Sequence, residues 1–208
     1  METLDAIRRR RAVRDYKPDQ VSAPELRQLI AAASWAPSAM NEQPWHFTVV
    51  TDAKFLDEIS QRSKTWMLQG VAAMPRSGHF RDLLADPHFH IFYNAPALIV
   101  ISATSNGQWS AEDCALAAQN LMLAALDQGL GSCWIGCAQG WLNTDEGHGA
   151  LGLSRQNRVV APIIVGHPKA PPPTVPRKTP LISWIGKIAA TLEQDSQTAG
   201  THGVLNHP

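Results

Sequence analysis

Arg8, Arg9, Arg10 and Arg11, followed by Arg14, set five guanidinium groups within seven positions. Three chemistries suit such a run. Cations complement the partial negative charge at a helix C-terminus. A basic cluster can meet nucleic acid. Planar guanidinium forks can also clamp a phosphate, which they match two bonds at a time. A second stretch with chemical capacity is Ala36-Pro37-Ser38-Ala39-Met40-Asn41-Glu42-Gln43-Pro44-Trp45. A plain turn explains Pro37, Ser38 and Asn41. Asn41 and Gln43 each also carry a donor and an acceptor on one side chain, which suits a heterocycle with an alternating polar edge, such as the pyrimidine ring of a flavin.

Other reactive side chains read more plainly. Cys114, Cys133 and Cys137 form an odd set in apolar surroundings, which is no disulfide framework. Cys133 and Cys137 lack a second ligand pair at a zinc-like spacing, so they read as buried thiols. His46 and His167 flank expected strands and read as hydrogen-bonded structural imidazoles. Trp35, Trp45 and Trp141 read as packing residues.

The elements that must hold these groups follow from periodicity and punctuation. Residues 3–10 suit a short helix with Leu4 and Ile7 on one face. Ser22-Ala23-Pro24-Glu25 has the form of a capping box, and Leu26, Leu29, Ile30 and Ala33 continue it at helical spacing until Pro37. Trp45 to Thr51 reads as a strand, 53–62 as a short helix and Ala97 to Ala103 as a second strand. Residues 63–94, with Gly70, Pro75, Gly78 and Pro87 among scattered aromatics, suggest a long irregular excursion of the kind that forms lids. The longest helix spans 111–128 and closes at Gly129 and Gly131. Being apolar on nearly every side, it must be surrounded by protein, in a core or against a second subunit. Strands near 132–136 and 159–166 flank a helix near 143–151. Six prolines in 168–180 favour an extended path, and residues 194–208 read as a flexible tail. Alternating helices and strands, taken alone, suggest a parallel sheet.

Bulk composition narrows the function classes. The chain has 208 residues, 44% of them hydrophobic and 17% charged, with a formal net charge of zero. That is enough for one domain with a sizeable core. Zero net charge argues against nucleic acid. No stretch approaches the roughly 18 apolar residues of a membrane span. The opening METLDAIRRRR lacks the order of a signal peptide, so a cytoplasmic location is expected.

Together, Arg10-Arg11-Ala12-Val13-Arg14 and APSAMNEQPWHF at 36–47 resemble the N-terminal signature of the nitroreductase family. Further matches follow in order: Asn94-Ala95-Pro96, AQNLMLAALDQGLGSCWIG at 118–136, Val165-Gly166-His167-Pro168, then Arg177 after a proline-rich gap. The resemblance covers about residues 3–185. It implies an α+β sandwich with a mostly antiparallel central sheet flanked by helices, in place of a parallel one. It implies an intertwined homodimer with two FMN sites at the interface and an FMN-binding domain over 1–193; members differ most over 63–94, the excursion read above as a lid. The apolar helix at 111–128 then packs at the dimer core.

By motif, Arg10, Arg11, Ala12 and Arg14 fall near FMN, Arg10 at the phosphate and Arg14 toward the N1/O2 edge of the ring. Pro37, Ser38, Ala39, Asn41 and Gln43 come from the other subunit. Trp134, Ile135 and Gly136 approach the isoalloxazine ring, and Arg177 meets the phosphate. Ala12 departs from the pattern, since many members carry Ser there and gain a hydroxyl contact. The resemblance implies a ping-pong cycle in which NAD(P)H delivers electrons to FMN. An electron-poor small molecule, such as a nitroarene or quinone, then collects them, with no side-chain acid or base required. A specialised enzyme of the same fold, dehalogenating or flavin-fragmenting, is one alternative. A non-catalytic flavin-binding protein is another.

Overall fold

A computed structural model of the chain describes residues 1–70 and 78–186. The expected tail at 194–208 and part of the expected excursion, 71–77, lie outside the described residues. Residues Met1–Val175 make one unit, and the chain from Pro176 belongs to a second.

Seven α-helices and four strands are described: α1 Thr3–Arg9, α2 Ala23–Ala33, β1 Trp45–Val50, α3 Ala53–Gly70, α4 Gly78–Ala85, β2 Ala97–Ala103, α5 Ser110–Asp127, β3 Gly131–Trp134, α6 Gly136–Leu142, α7 Asp145–Leu151 and β4 Arg158–Gly166. The sheet order is β1-β2-β4-β3, and every pairing of these strands is antiparallel. The parallel sheet suggested by element alternation is therefore wrong, and the antiparallel α+β sandwich implied by the resemblance is right. Alternation misleads here because helices inserted between strands do not dictate crossovers to parallel neighbours.

The central strands are apolar on both faces because both faces are covered. All seven residues of β2 are buried. One side of the sheet packs a cluster containing Leu56, Ile59, Phe92, Leu98, Val100, Trp141 and Ile164 under α3, α4 and α6. The other packs Leu26, Leu29, Ile99, Ala117, Leu121 and Ile163 under α2 and α5. Pro162 sits in central β4 although it lacks an N–H. A register shift at Ile101/Ser102 skips Val160 and opens the ladder close by.

Helix ends follow the expected chemistry. The Ser22 N–H donates to Glu25 at 2.8 Å, and the Glu25 N–H donates back to Ser22 Oγ at 3.4 Å. The Ser22 hydroxyl, donating to Glu25 Oε2 at 2.6 Å, and then the Ser22 N–H hold the Glu25 carboxyl below its usual range. Gly129, at φ 75°, closes α5 in the left-handed conformation that glycine takes most readily. Helix α3 runs eight residues past its expected end, to Gly70, so much of the expected irregular excursion is helical. Its length is carried by one buried face, Leu56, Ile59, Ser60, Ser63 and Lys64. Helix α6 was not anticipated, since Gly136 and Gly140 disguise it. Gly140 is glycine because Trp66 of α3 occupies the space of a side chain there.

Two more glycines decide where the arginine segment lies. A Cβ on Gly131 would meet Val13 Cβ and Cγ1 at 2.8 Å, and one on Gly166 would meet Tyr16 Cδ1 at 2.8 Å. Both contacts are shorter than real Cβ atoms make. Gly131→Ala is expected to destabilise the protein by about 1–3 kcal/mol through overpacking. Urea unfolding checks this, and a loss below about 0.5 kcal/mol would show that the Val13 segment moves aside without cost.

Candidate functional site

Beyond Arg9 the chain leaves the helix and runs extended beside β3. The Val13 N–H donates to the Ser132 carbonyl at 3.0 Å, and the Lys17 N–H to the His167 carbonyl at 2.8 Å. Ala12 bridges Ser132 in parallel and Tyr16 bridges Pro168 antiparallel. Strand alternation turns Val13 into the core and leaves Arg14 exposed. Tyr16 is buried and its hydroxyl donates to the Val13 carbonyl at 2.7 Å, with burial pushing its phenol well up.

The five arginines do different things. Arg9 pairs with Asp5 at 3.1 Å. Arg11 Nη1 donates to the carbonyls of Arg8 and Arg10 at 2.6 and 2.8 Å, so for this residue the helix-end reading holds. Arg14 extends over the Tyr93 ring, 5.8 Å from its centre. The charges of Arg14 and Arg10 both reach Cys133 of β3, where they pull down a thiol that burial pushes up. Arg9, Arg10 and Arg11 also line a cavity of about 300 Å³, faced by Met122 and Leu126 of α5 and by Pro168 to Pro172.

Next along β3, Trp134 is half-buried and Ile135 is buried, its N–H donating to the Pro162 carbonyl at 2.8 Å. Gly136 is exposed, with no atom within 4 Å of where a Cβ would stand. A flat group can therefore approach the backbone there. Cationic donors, an apolar strand end and an open glycine surface together fit an anionic, planar ligand.

The 36–44 segment is built as a rigid turn. Ser38 Oγ accepts from the Gln43 N–H at 3.0 Å, and the Ala39 N–H donates to Asp113 Oδ1 at 3.1 Å. Met40, Asn41 and Gln43 all take positive φ, at 50°, 56° and 49°. Such residues cluster where geometry is held for a purpose. Gln43 Nε2 donates to Asn41 Oδ1 at 2.9 Å, which leaves an amide donor and a carbonyl acceptor on two exposed side chains. Pro37 is exposed and Ala39 half-buried beside them.

This turn enters β1, whereas the arginine segment lies outside β3. These strands are the opposite edges of the sheet. Three strand spacings separate them by about 14 Å, and the register offset between Trp45 and Ser132 adds about 20 Å along the strands. The structure lays the segment carrying Arg10, Arg11, Ala12 and Arg14 against β3, which leads into Trp134, Ile135 and Gly136. It does not bring Pro37, Ser38, Ala39, Asn41 and Gln43 to them within one chain. Arg177 lies in the second unit, exposed, with Nη1 donating to the Pro176 carbonyl at 3.5 Å.

Tyr93 is a site neighbour that sequence reasoning missed. Tyr93 and Asn94 adopt φ of 52° and 53°. The segment before them is laced to α3 by residues at helical spacing. Lys64 Nζ donates to the carbonyls of Asp86 and Phe89 at 2.6 and 2.8 Å, Ser60 Oγ accepts from the Ile91 N–H at 3.2 Å, and Asp57 lies 3.1 Å from His90 Nε2. The 57, 60, 64 spacing of polar residues on an otherwise apolar face was the available signal.

Three smaller readings need correction or refinement. Trp35 is 86% exposed and packs no core. His46 is exposed on edge strand β1, where alternation turns it outward. Cys114 and Cys133 are buried and Cys137 is half-buried, with burial pushing the Cys114 thiol up to about 12.

The family model for the nitroreductase family matches residues 7–167. The chain belongs to that family. A protein of Archaeoglobus fulgidus named "Putative NADH dehydrogenase/NAD(P)H nitroreductase" is 30% identical over 168 residues, 81% of this chain and 86% of its own. The iodotyrosine deiodinase of Thermotoga neapolitana is 26% identical over 189 residues, 86% of this chain and 96% of its own. Among solved structures, a nitroreductase with bound FMN from Bacteroides fragilis superposes with a TM-score of 0.72 at 30% identity, covering 91% of this chain and all of that one. Among the described residues no helix is long and apolar enough to cross a membrane.

Burial holds the His90 imidazole below its ordinary value of 6.5, while Asp57 opposes this and Lys64 adds to it. The neutral ring is thus the form that stabilises the fold. Its contribution is full above about 6.5 and is lost as pH falls through the lower folded value. The wild-type urea midpoint is expected to drop more between about pH 7.5 and about pH 5.5 than that of His90→Gln. Parallel drops in both proteins would trace the acid sensitivity to other groups.

Proposed function

We propose that this nitroreductase-family chain is an FMN-dependent oxidoreductase that acts as a homodimer. In this reading NAD(P)H is the electron donor, and a small electron-poor molecule such as a nitroarene or quinone is the acceptor. The observation that carries the proposal is the division of the candidate site between opposite sheet edges. A ligand that needs both the arginine segment and the 37–43 turn has to take them from two chains. The outward side of α5 supports the same reading, since Leu116 there is 45% exposed. The FMN-bound relative and the relative named for NAD(P)H support the cofactor and the donor.

Arg10 would hold the phosphate, with Arg11 and the backbone at Ala12 beside it and Arg177 as a further cation. Trp134, Ile135 and Gly136 would face the ring, and Pro37, Ser38, Ala39, Asn41 and Gln43 of the second chain would border it. Bound FMN supplies the hydride chemistry, and the protein binds it, orients it and sets its electrostatics. Arg14 acts on the last of these. A fixed guanidinium beside the pyrimidine edge favours negative charge where it develops. Of the lid expected over 63–94, the described stretch that leads into Tyr93 would face the acceptor. The dimer, the acceptor and a cytoplasmic location are all part of this reading.

A second reading, reductive dehalogenation, is favoured by the likeness to the iodotyrosine deiodinase. One anaerobic experiment separates the possibilities. The purified yellow protein is expected to bleach with NADH or NADPH and to regain colour with a nitroarene or quinone. Recovery with a halotyrosine alone would favour dehalogenation, and no bleaching with either nicotinamide would sink the oxidoreductase reading. Arg14→Ala is expected to weaken FMN binding by about tenfold and to lower the flavin midpoint potential. Unchanged affinity and potential would remove Arg14 from the site.

A further inference from the structure

We infer that Tyr93 is a positioning residue for Arg14, its ring holding the guanidinium in place from below, and that a polar face of α3 sets Tyr93 itself. The inference rests on the reading that Arg14 faces the flavin.

Arg14 projects from an extended segment and is exposed. A long side chain in that situation samples many rotamers, and freezing it costs free energy on ligand binding. A surface that holds the guanidinium beforehand removes part of that cost. The Tyr93 ring is such a surface, 5.8 Å from the guanidinium carbon, within the range where a cation is attracted to an aromatic face.

The ring and the backbone that carries it are both held. Phe89 meets it edge-on, with centres 5.7 Å apart and planes at 80°. The backbone of Tyr93 and Asn94 is left-handed at both residues, a conformation that persists only where its surroundings impose it. The Tyr93 N–H donates to the His90 carbonyl at 2.8 Å, and the turn that this bond closes is tied to α3. Lys64, a buried lysine, has its ammonium tied to the Asp86 and Phe89 carbonyls. Ser60 holds Ile91, Asp57 holds His90, and the His90 ring accepts from the Phe92 N–H at 3.1 Å. Burying a lysine for structure alone is costly. Here that buried charge orders the backbone leading to the residue under Arg14.

The test is a double-mutant cycle on the full-length protein. FMN dissociation constants are measured by titrating free FMN into flavin-stripped protein and following the loss of its fluorescence. Tyr93→Leu, which keeps bulk but not the aromatic face, is expected to weaken binding about three- to tenfold. Tyr93→Phe keeps the ring but loses the hydroxyl contact to Arg14, and is expected to fall between wild type and Tyr93→Leu. In an Arg14→Ala background the Tyr93→Leu effect is expected to shrink below about twofold, because the group it positions is gone.

Thermal melts of the stripped proteins identify any variant that fails to fold, and Tyr93→Met then replaces Tyr93→Leu. An equal Tyr93→Leu effect with and without Arg14 would overturn the proposal, as would wild-type affinity in Tyr93→Leu. If Arg14→Ala alone binds FMN normally, the Arg14 reading fails first. If Arg14→Ala weakens binding and Tyr93→Leu does not, only the positioning role fails.

Discussion

The backbone bond from Val13 to Ser132 holds the candidate site to the fold. It joins an extended segment with no secondary structure of its own to the edge of the sheet. From that bond, strand alternation sends Val13 inward and Arg14 outward, and it carries Arg10 and Arg11 along β3. Gly131 and Gly166 make room for it, and Tyr16 anchors its far end. Each of these residues is legible only once the pairing is known, because a glycine or a tyrosine at such a position has no chemistry alone.

Electrostatics follow from the same contact. Guanidinium groups stay charged at any pH a protein meets, so their placement, not their titration, decides what they do. One becomes a helix cap, one an exposed ion pair, one a fixed cation over an aromatic ring. Arg14 and Arg10 act together on Cys133, whose thiol is pushed up by burial and pulled down by these two positive charges. A run that looks uniform in the sequence is thus divided by geometry into separate roles.

Much of the fold was legible in the residues. The Ser22–Glu25 box, the strands at 45 and 97, and the long helix before Gly129 carry local signals strong enough to survive folding. Strand direction was not legible, because pairing across β2 and β4 is decided by distant apolar faces. Neither was the full length of α3, whose second half is held by Lys64, Trp66 and their distant partners. The site was half legible. Motif resemblance reached the residues around Arg10, Asn41 and Trp134, but Tyr93 depends on a left-handed turn and a buried lysine that no local pattern announces.

The arginine segment has one more effect, on the sheet as a surface. A short edge strand such as β3 presents unpaired N–H and C=O groups to any neighbouring chain, and exposed edges of that kind nucleate aggregates. Here part of that edge is occupied by a segment that exposes Arg14, Asp15 and Lys17. The next chain to arrive meets charged side chains instead of a bare ladder. Residues proposed above to hold an anion thus also limit unwanted sheet extension, so solubility and ligand binding would rest on the same few positions.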